Sequence, residues 1–563
     1  MSGDGLVEQK RARDRQGGSK RGKWSVRDGA LYCEDGSGAR RLVSSTAPLV
    51  VANVHYQDEG KTLALVRMRI GGRCVEAVAD RAELFSATKI VGLLAPLGAN
   101  VSSTNAREIV QFMTCRDAAV GQSLPVVEGT SHLGWVGREG GPFAPYEADG
   151  LRVDAPRGME RILSSLAKPK GTLRAWTEAV GPAREQSMAL RAMLAASFAS
   201  PLVGILGLQP FVCYLWGGSG SGKTASLRVA GSVWGDAGQG GDYYQTFANT
   251  KLSTMRIAAF LHDVPLLLDD LQSLGAADRD KRRVAMGWIY DLSLGHERTT
   301  LRADRSMRPT GSWSLVTIAT GEVPILDRST QQGALNRTLE LCAEPFSDRS
   351  LASSLHRLSG EQYGTAGRAY VRLLRATDDA ILRSMWDRVR DECGSLAPDA
   401  RHADQISLLC LADMISRVAV FDAGAADWGN ALEDAGRLAR WVAGNVAPAE
   451  ELDTDRNAIA HVSEWLTQSE RLFDDGSGLV DEPVGVVEGS RRPDGTVYYV
   501  FKGEFEGMLA EAGFDAQKTL RRMRDEGIAR CGRGRLYFQK RVRGNQTYTA
   551  CISKRRLEEF LVE

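Results

Sequence analysis

Gly217-Gly-Ser-Gly-Ser-Gly-Lys-Thr224 follows the apolar run Phe211 to Trp216 and precedes a helix-compatible segment that begins at Ala225. The octet fits the pattern G-x-x-x-x-G-K-[ST] in its proper strand-loop-helix setting. Phosphate chemistry explains the residue types. Gly217, Gly220 and Gly222 let the backbone curl so that its N–H groups face phosphate oxygens, and the new helix adds the positive end of its dipole. Lys223 then reaches the β- and γ-phosphates, and Thr224 supplies a hydroxyl for Mg²⁺. The candidate nucleotide-binding set is therefore Gly217, Gly218, Ser219, Gly220, Ser221, Gly222, Lys223 and Thr224, with ATP and Mg²⁺ as the expected cofactors.

Working outward, Val264-Pro-Leu-Leu-Leu-Asp-Asp270 is a second apolar run, and it ends in two acids. Asp269, 46 residues after Lys223, is placed to hold the metal alongside Thr224. Asp270 takes the position of a carboxylate that polarises the attacking water. A third run, Leu315-Val-Thr-Ile-Ala-Thr-Gly-Glu322, brings Thr320 to a strand end where a side chain can sense the γ-phosphate. Gly333-Ala-Leu-Asn-Arg-Thr-Leu-Glu340 puts Arg337 where an oligomeric ATPase needs an arginine finger in the neighbouring subunit; a plain surface arginine is the competing reading. Leu358-Ser-Gly-Glu-Gln362 resembles a transporter signature but follows the acidic strand instead of preceding it, so it is a chance match.

The alternation of apolar runs with helix-like segments from about 210 to 345 predicts a parallel α/β sheet. Residues 1–22 form a basic tail with no apolar periodicity. Residues 23–170 read as an N-terminal α+β domain, with strands at Leu49–Val54, Leu63–Ile70 and Val75–Val78 and a helix near Ala106–Met113. The core spans 171–345, introduced by one or two helices over Ala175–Ser200 with a break at Gly181-Pro182. A helical lid over 346–475 takes its pattern from Arg368–Val389, Ile406–Val418 and Ala431–Val442. Residues 483–563 give strand, helix, helix and hairpin, the order of a winged-helix-like module.

The 563 residues carry 71 basic and 70 acidic side chains, so any nucleic-acid contact must come from local patches. Nine scattered cysteines with no C-x-x-C argue against a disulfide framework or a structural metal. The most apolar stretch, Ala195 to Trp216, is interrupted by Pro201, Gly204, Gly207 and Pro210, and the N-terminus lacks an apolar signal region. A cytoplasmic protein with no membrane partner is expected.

These blocks, together with Gly171-Thr-Leu-Arg-Ala-Trp176, the run Gly134-Trp135 to Pro145, and Thr320-Gly-Glu322, resemble the bacterial and phage family filed as domain of unknown function 927. That family looks like the MCM-like AAA+ helicases of mobile genetic elements. The resemblance covers roughly residues 24 to 400 and implies a homo-oligomeric ATPase, in the form of a hexameric ring. Two features depart from the family pattern. Asp269-Asp270 stands where Asp-Glu is usual, and the loop lacks the usual adjacent serines or Ser-Thr. Aspartate at the second acid also occurs in viral superfamily 3 helicases.

The same resemblance places a channel-facing hairpin at Glu297 to Arg308, where Arg298, Arg302, Arg305 and Arg308 recur every three or four residues. Guanidinium groups track phosphates without reading bases; a solvated charged loop is the competing reading. From Lys502 onward, 14 basic residues face 9 acidic ones. Arg521, Arg522, Arg535, Lys540 and Arg541 are the candidate DNA contacts of the recognition helix and wing. The expected function is an ATP-dependent DNA helicase or translocase of phage or mobile-element replication, acting on single-stranded or forked DNA. Two alternatives stand beside it: an AAA+ loader or remodelling ATPase that does not unwind, and an initiator that uses ATP as an assembly switch.

Overall fold

The computed structural model describes residues 23–562 except 36, 138–139, 149, 239–240, 275–277, 299–309, 327–335, 399, 422–427, 447–453, 478, 490–494, 513 and 533–534. The basic tail and Arg302, Arg305 and Arg308 lie outside the described residues. The chain divides into two compact units: residues up to 130 together with 150–154, and residues 131–149 together with 155 onward.

The first unit is built on alternation. In Leu49–Tyr56 every second residue is buried, the signature of a strand with one face on a core. It pairs antiparallel with Lys61–Ile70, which pairs antiparallel with Arg73–Ala79. Val126–Thr130 adds in parallel on the other side, followed by the two-residue strand Arg152–Val153. Helix Ala106–Val120 buries Ile109, Phe112 and Met113 in a core with Val50, Ala64, Val66 and Met68, whereas Ala52, Val54 and Tyr56 form a second cluster with Leu65; a separate three-stranded sheet begins at Lys23.

The second unit centres on a five-stranded parallel sheet: β1 (Phe211–Trp216), β2 (Gln245–Thr246), β3 (Leu266–Asp269), β4 (Val316–Gly321) and β5 (Thr338–Cys342). The order is β2-β3-β4-β1-β5 and every pairing is parallel. β1, β3 and β4 read as unbroken apolar runs because parallel sheets are covered on both faces. β3 starts two residues later than the apolar run that announced it, since Pro265 has no N–H to give a ladder.

Helix Met188–Ile205 lies against this sheet and is buried along most of its length. By length and composition it would pass for a membrane span, yet it serves here as the core helix. Its Arg191 is 2% exposed and meets two equally buried acids, with Nη2 2.6 Å from both Asp413 Oδ2 and Asp434 Oδ2. Arg184 adds a 2.6 Å bond to the other oxygen of Asp413. The Arg191 pairs tie the core helix to Ala400–Ala419 and Trp428–Asn445, and the Arg184 pair ties the helix before it, Leu173–Gln186, to Ala400–Ala419.

Two helix boundaries differ from the sequence reading. The break expected at Gly181-Pro182 falls at Ser187, between helices Leu173–Gln186 and Met188–Ile205. Ser187 is extended and its hydroxyl accepts from Leu190 N, a capping bond, while Pro182 faces solvent, where the carbonyl it leaves unbonded can meet water. The single helix read over Arg368–Val389 is two, Thr365–Ala376 and Asp379–Gly394, because Asp378 caps the second through Ala380 N at 2.7 Å.

The C-terminal part folds around Phe505, Leu509, Leu520, Met523, Ile528 and Ile552, and its core takes in Ile459, Val462 and Leu466 of helix Thr454–Gln468. Helices Lys502–Glu511 and Ala516–Asp525 are followed by the hairpin Phe538–Val542/Asn545–Ser553. Arg543 and Gly544 at its turn both have positive φ, as a tight two-residue hairpin demands.

Candidate functional site

The carboxyl ends of β1, β3 and β4 converge, which is where parallel α/β sheets place their ligand crevices. Leu215 of β1 sits beside Thr320 of β4, and Leu268 of β3 beside Ala319, so the last residues of the three strands share one edge. From this edge residues 217–222 loop into helix Lys223–Ser232. Gly222 holds φ +86°, and a Cβ there would stand 2.6 Å from the Phe346 ring. Phe346 is itself fixed, its N–H donating to Ser221 O at 3.3 Å. The loop is thus a curled backbone with room for no side chain at its turning point.

Lys223 is buried, and its ammonium donates to Gly217 O at 3.0 Å, Gly218 O at 2.6 Å and Ser221 Oγ at 3.3 Å. A cation folded into a ring of loop carbonyls is one that an anion can draw out, because those carbonyls are weak partners compared with phosphate. Thr224 Oγ1 donates to Asp269 Oδ1 at 3.4 Å. The same oxygen accepts from the Thr320 hydroxyl, and Oδ2 accepts from the Tyr244 hydroxyl. Asp269 is 8% exposed, so a single buried carboxylate is gripped by three hydroxyls from three elements. The donor set, hydroxyl plus carboxylate, is the hard-oxygen kind that suits Mg²⁺, and the glycine cradle suits a polyphosphate. The residues present therefore fit a metal–nucleotide pair.

Of the positions expected from sequence, the structure brings together the loop octet, Asp269 and Thr320. Asp270 is exposed and turned aside: at φ +55° its carboxylate accepts from Gln272 N at 3.1 Å and caps the short turn Leu271–Ser273. Arg337 precedes β5 at the opposite end of the sheet from the loop, with its guanidinium 4.8 Å from the centre of the Tyr290 ring.

Four neighbours were not singled out from sequence. Tyr244 and Arg228 stack with the guanidinium 4.0 Å above the ring. Burial, followed by the charge of Asp269, pushes the Tyr244 phenol up. His356 is held below its ordinary value by burial and then by Arg228, against the pull of Asp269. Arg349 opens helix Arg349–Leu358, exposed, with its guanidinium 4.0 Å from the Cβ position of Gly220. The only sequence signal for these was local: the Tyr243-Tyr244 pair ahead of the acidic strand, and Asp348-Arg-Ser350 as a helix start.

Among the candidate DNA contacts, Arg298 is exposed and pairs with Asp291 at 3.2 Å. Helix Ala516–Asp525 buries Thr519, Leu520 and Met523, which turns Arg521 and Arg522 outward; Arg522 pairs with Glu526 at 2.7 Å. Arg535 donates to Tyr548 OH at 3.0 Å, and Arg541 to Gly544 O at 3.1 Å. The Lys540 ammonium is engaged within the module, on Glu488 and 3.9 Å from the centre of the Tyr499 ring.

Fold and site together define a parallel α/β chain with a glycine-cradled lysine and a hydroxyl-bound acid at its sheet edge, continued by a helix-helix-hairpin module. Residues 32–308 match the model of the family described as Domain of unknown function (DUF927). Residues 453–555 match the model described as Cch helix turn helix domain. The solved structure described as "SCCmec type IV Cch - active helicase" shares the fold, with TM-score 0.67 at 15% identity over 95% of this chain and 98% of that one. The structure described as "The A form apo structure of NrS-1 C terminal region-CTR" aligns over 89% and 96% at 9% identity, but its TM-score of 0.25 is too low to bear on the fold. No curated protein matches the chain by sequence.

Proposed function

We propose that the chain is an ATP-dependent DNA helicase or translocase, built on a P-loop AAA+ core and acting in phage or mobile-element DNA replication in the cytoplasm. The observation that carries this reading is the meeting of Lys223, Thr224, Asp269 and Thr320 at one sheet edge. In this reading the loop amides and Lys223 bind the phosphates, and Thr224 with Asp269 holds Mg²⁺. The metal, when bound, offsets the charge that develops on the transferring phosphoryl group. Thr320 fixes the carboxylate beside the γ-phosphate. Asp270 reaches the attacking water once its turn-capping bond is exchanged. Arg337, remote from its own loop, serves a neighbouring subunit of a ring. Arg298, Arg302, Arg305 and Arg308 line the strand path, and the helix-turn-helix module adds Arg521, Arg522, Arg535 and Arg541 on duplex phosphates. Support for unwinding, as distinct from mere nucleotide binding, comes from a protein described as an active helicase having this fold along nearly its full length. The test is ATP turnover by the full chain with and without single-stranded DNA: the parent hydrolyses ATP and is stimulated, and Lys223→Ala abolishes both rates. Normal turnover in Lys223→Ala removes the site.

A further inference from the structure

We infer that Tyr244 is a positioning residue for Asp269, and that Arg228 on the loop helix holds Tyr244 in place. This deepens the nucleotide reading and rests on it. The tyrosine pair brackets β3 along its length. The buried Tyr243 hydroxyl donates to Pro265 O at 2.7 Å, just before the strand, and the Tyr244 hydroxyl donates to Asp269 at its last residue. Between them β2 pairs with β3 in parallel, Thr246 beside Asp269, so the backbone that carries Tyr244 is registered to the acid it binds.

The two carboxylate oxygens have different duties. Oδ1 faces Thr224, the expected metal partner, and also accepts from Thr320. Oδ2 accepts from Tyr244. With Thr320 on one oxygen and Tyr244 on the other, the carboxylate cannot rotate about its Cβ–Cγ bond without breaking a hydroxyl bond. Without Tyr244, Oδ2 loses its hydroxyl partner and only the Thr224 and Thr320 bonds to Oδ1 oppose rotation of the plane. Partners of this kind, which orient a metal ligand without touching the metal, typically account for about 10- to 100-fold in metal affinity.

Arg228 completes the device. It lies on Lys223–Ser232, one turn beyond Thr224, and its Nη1 donates to Ala237 O at 2.9 Å, which sets the guanidinium plane over the Tyr244 ring. A stacked cation limits ring swing and favours the face it covers. The helix that begins at the phosphate loop is thereby joined, through Arg228 and Tyr244, to the acid that serves the metal.

The experiment is a Mn²⁺ titration of the full chain saturated with ADP, read by the electron paramagnetic resonance signal of free Mn²⁺, with ADP affinity measured separately in EDTA. Tyr244→Phe is expected to weaken Mn²⁺ binding about tenfold and to leave ADP affinity in EDTA unchanged. Arg228→Met, which keeps the hydroxyl, shifts Mn²⁺ affinity the same way by about threefold. Should Tyr244→Phe fail to fold, the Arg228→Met comparison decides alone. Parent-like or tighter Mn²⁺ binding in the variants overturns the inference while the nucleotide reading stands. A parent chain that binds no ADP overturns the nucleotide reading, and the inference with it.

Discussion

Gly222→Ala isolates the geometry of the loop from its chemistry, since it removes no ligand. Two terms add. Alanine in the left-handed region costs about 1–2 kcal/mol, and the new Cβ would lie 2.6 Å from the Phe346 ring and 3.3 Å from Ala352 Cβ. The ring is buried and its backbone is bonded to the loop, so relief requires moving the loop itself; overpacking of this kind costs about 1–3 kcal/mol. A sum of about 3 kcal/mol corresponds to roughly a hundredfold loss of nucleotide affinity at 1.4 kcal/mol per tenfold. Fluorescence titration with a labelled nucleotide measures it. Adding Phe346→Ala removes the steric term but not the backbone term, so the double variant should recover about tenfold. Parent-like affinity in Gly222→Ala, or no recovery in the double variant, refutes the loop geometry.

Asp413→Asn removes the carboxylate that Arg184 and Arg191 share, leaving Arg191 on Asp434 alone and Arg184 on Glu185, and calorimetry should show the core transition weakened by about 1–3 kcal/mol; no measurable loss would sink the claim that this network holds the helices together. Burial raises the Asp434 carboxyl, but Arg191, Arg417 and Arg437 outweigh it and leave the group below its ordinary value. Its stabilisation is therefore complete above the ordinary carboxylate pKa of about 4 and is lost as pH falls through the depressed value, so the parent's melting temperature should drop more steeply in acid than that of Asp434→Asn. The pair Arg521→Ala and Arg535→Ala should make the salt dependence of DNA affinity shallower by about two contacts and leave basal ATPase unchanged; an unaltered slope places these arginines off the DNA.

What the sequence made legible follows from how local the physics is. The loop pattern is written in eight consecutive residues, and an apolar run ending in acid is equally local, so the meeting of Lys223, Thr224, Asp269 and Thr320 could be anticipated from the sequence. The helix breaks were misread because Pro182 is a conspicuous breaker that faces solvent harmlessly, whereas Ser187 and Asp378 act through single capping bonds. Tyr244 and Arg228 were invisible because their roles depend on two residues with 15 others between them in the chain meeting face to face and on Tyr244 reaching the end of β3. The return strand Arg152–Val153 was missed because two residues carry no period. The orientation of Asp270 is a matter of one positive φ angle, which composition and spacing do not encode.

Strand separation is the central claim, and a forked duplex with a labelled strand tests it most directly. The full chain is mixed with the fork, with and without ATP and Mg²⁺, and displaced strand is followed in time beside Lys223→Ala. The account predicts displacement by the parent that requires both ATP and Mg²⁺, and none by Lys223→Ala even though that variant still binds the fork. DNA-stimulated hydrolysis with no displaced strand would contradict it in favour of a remodelling ATPase, and ATP binding with neither turnover nor displacement would leave an ATP-switched initiator in its place.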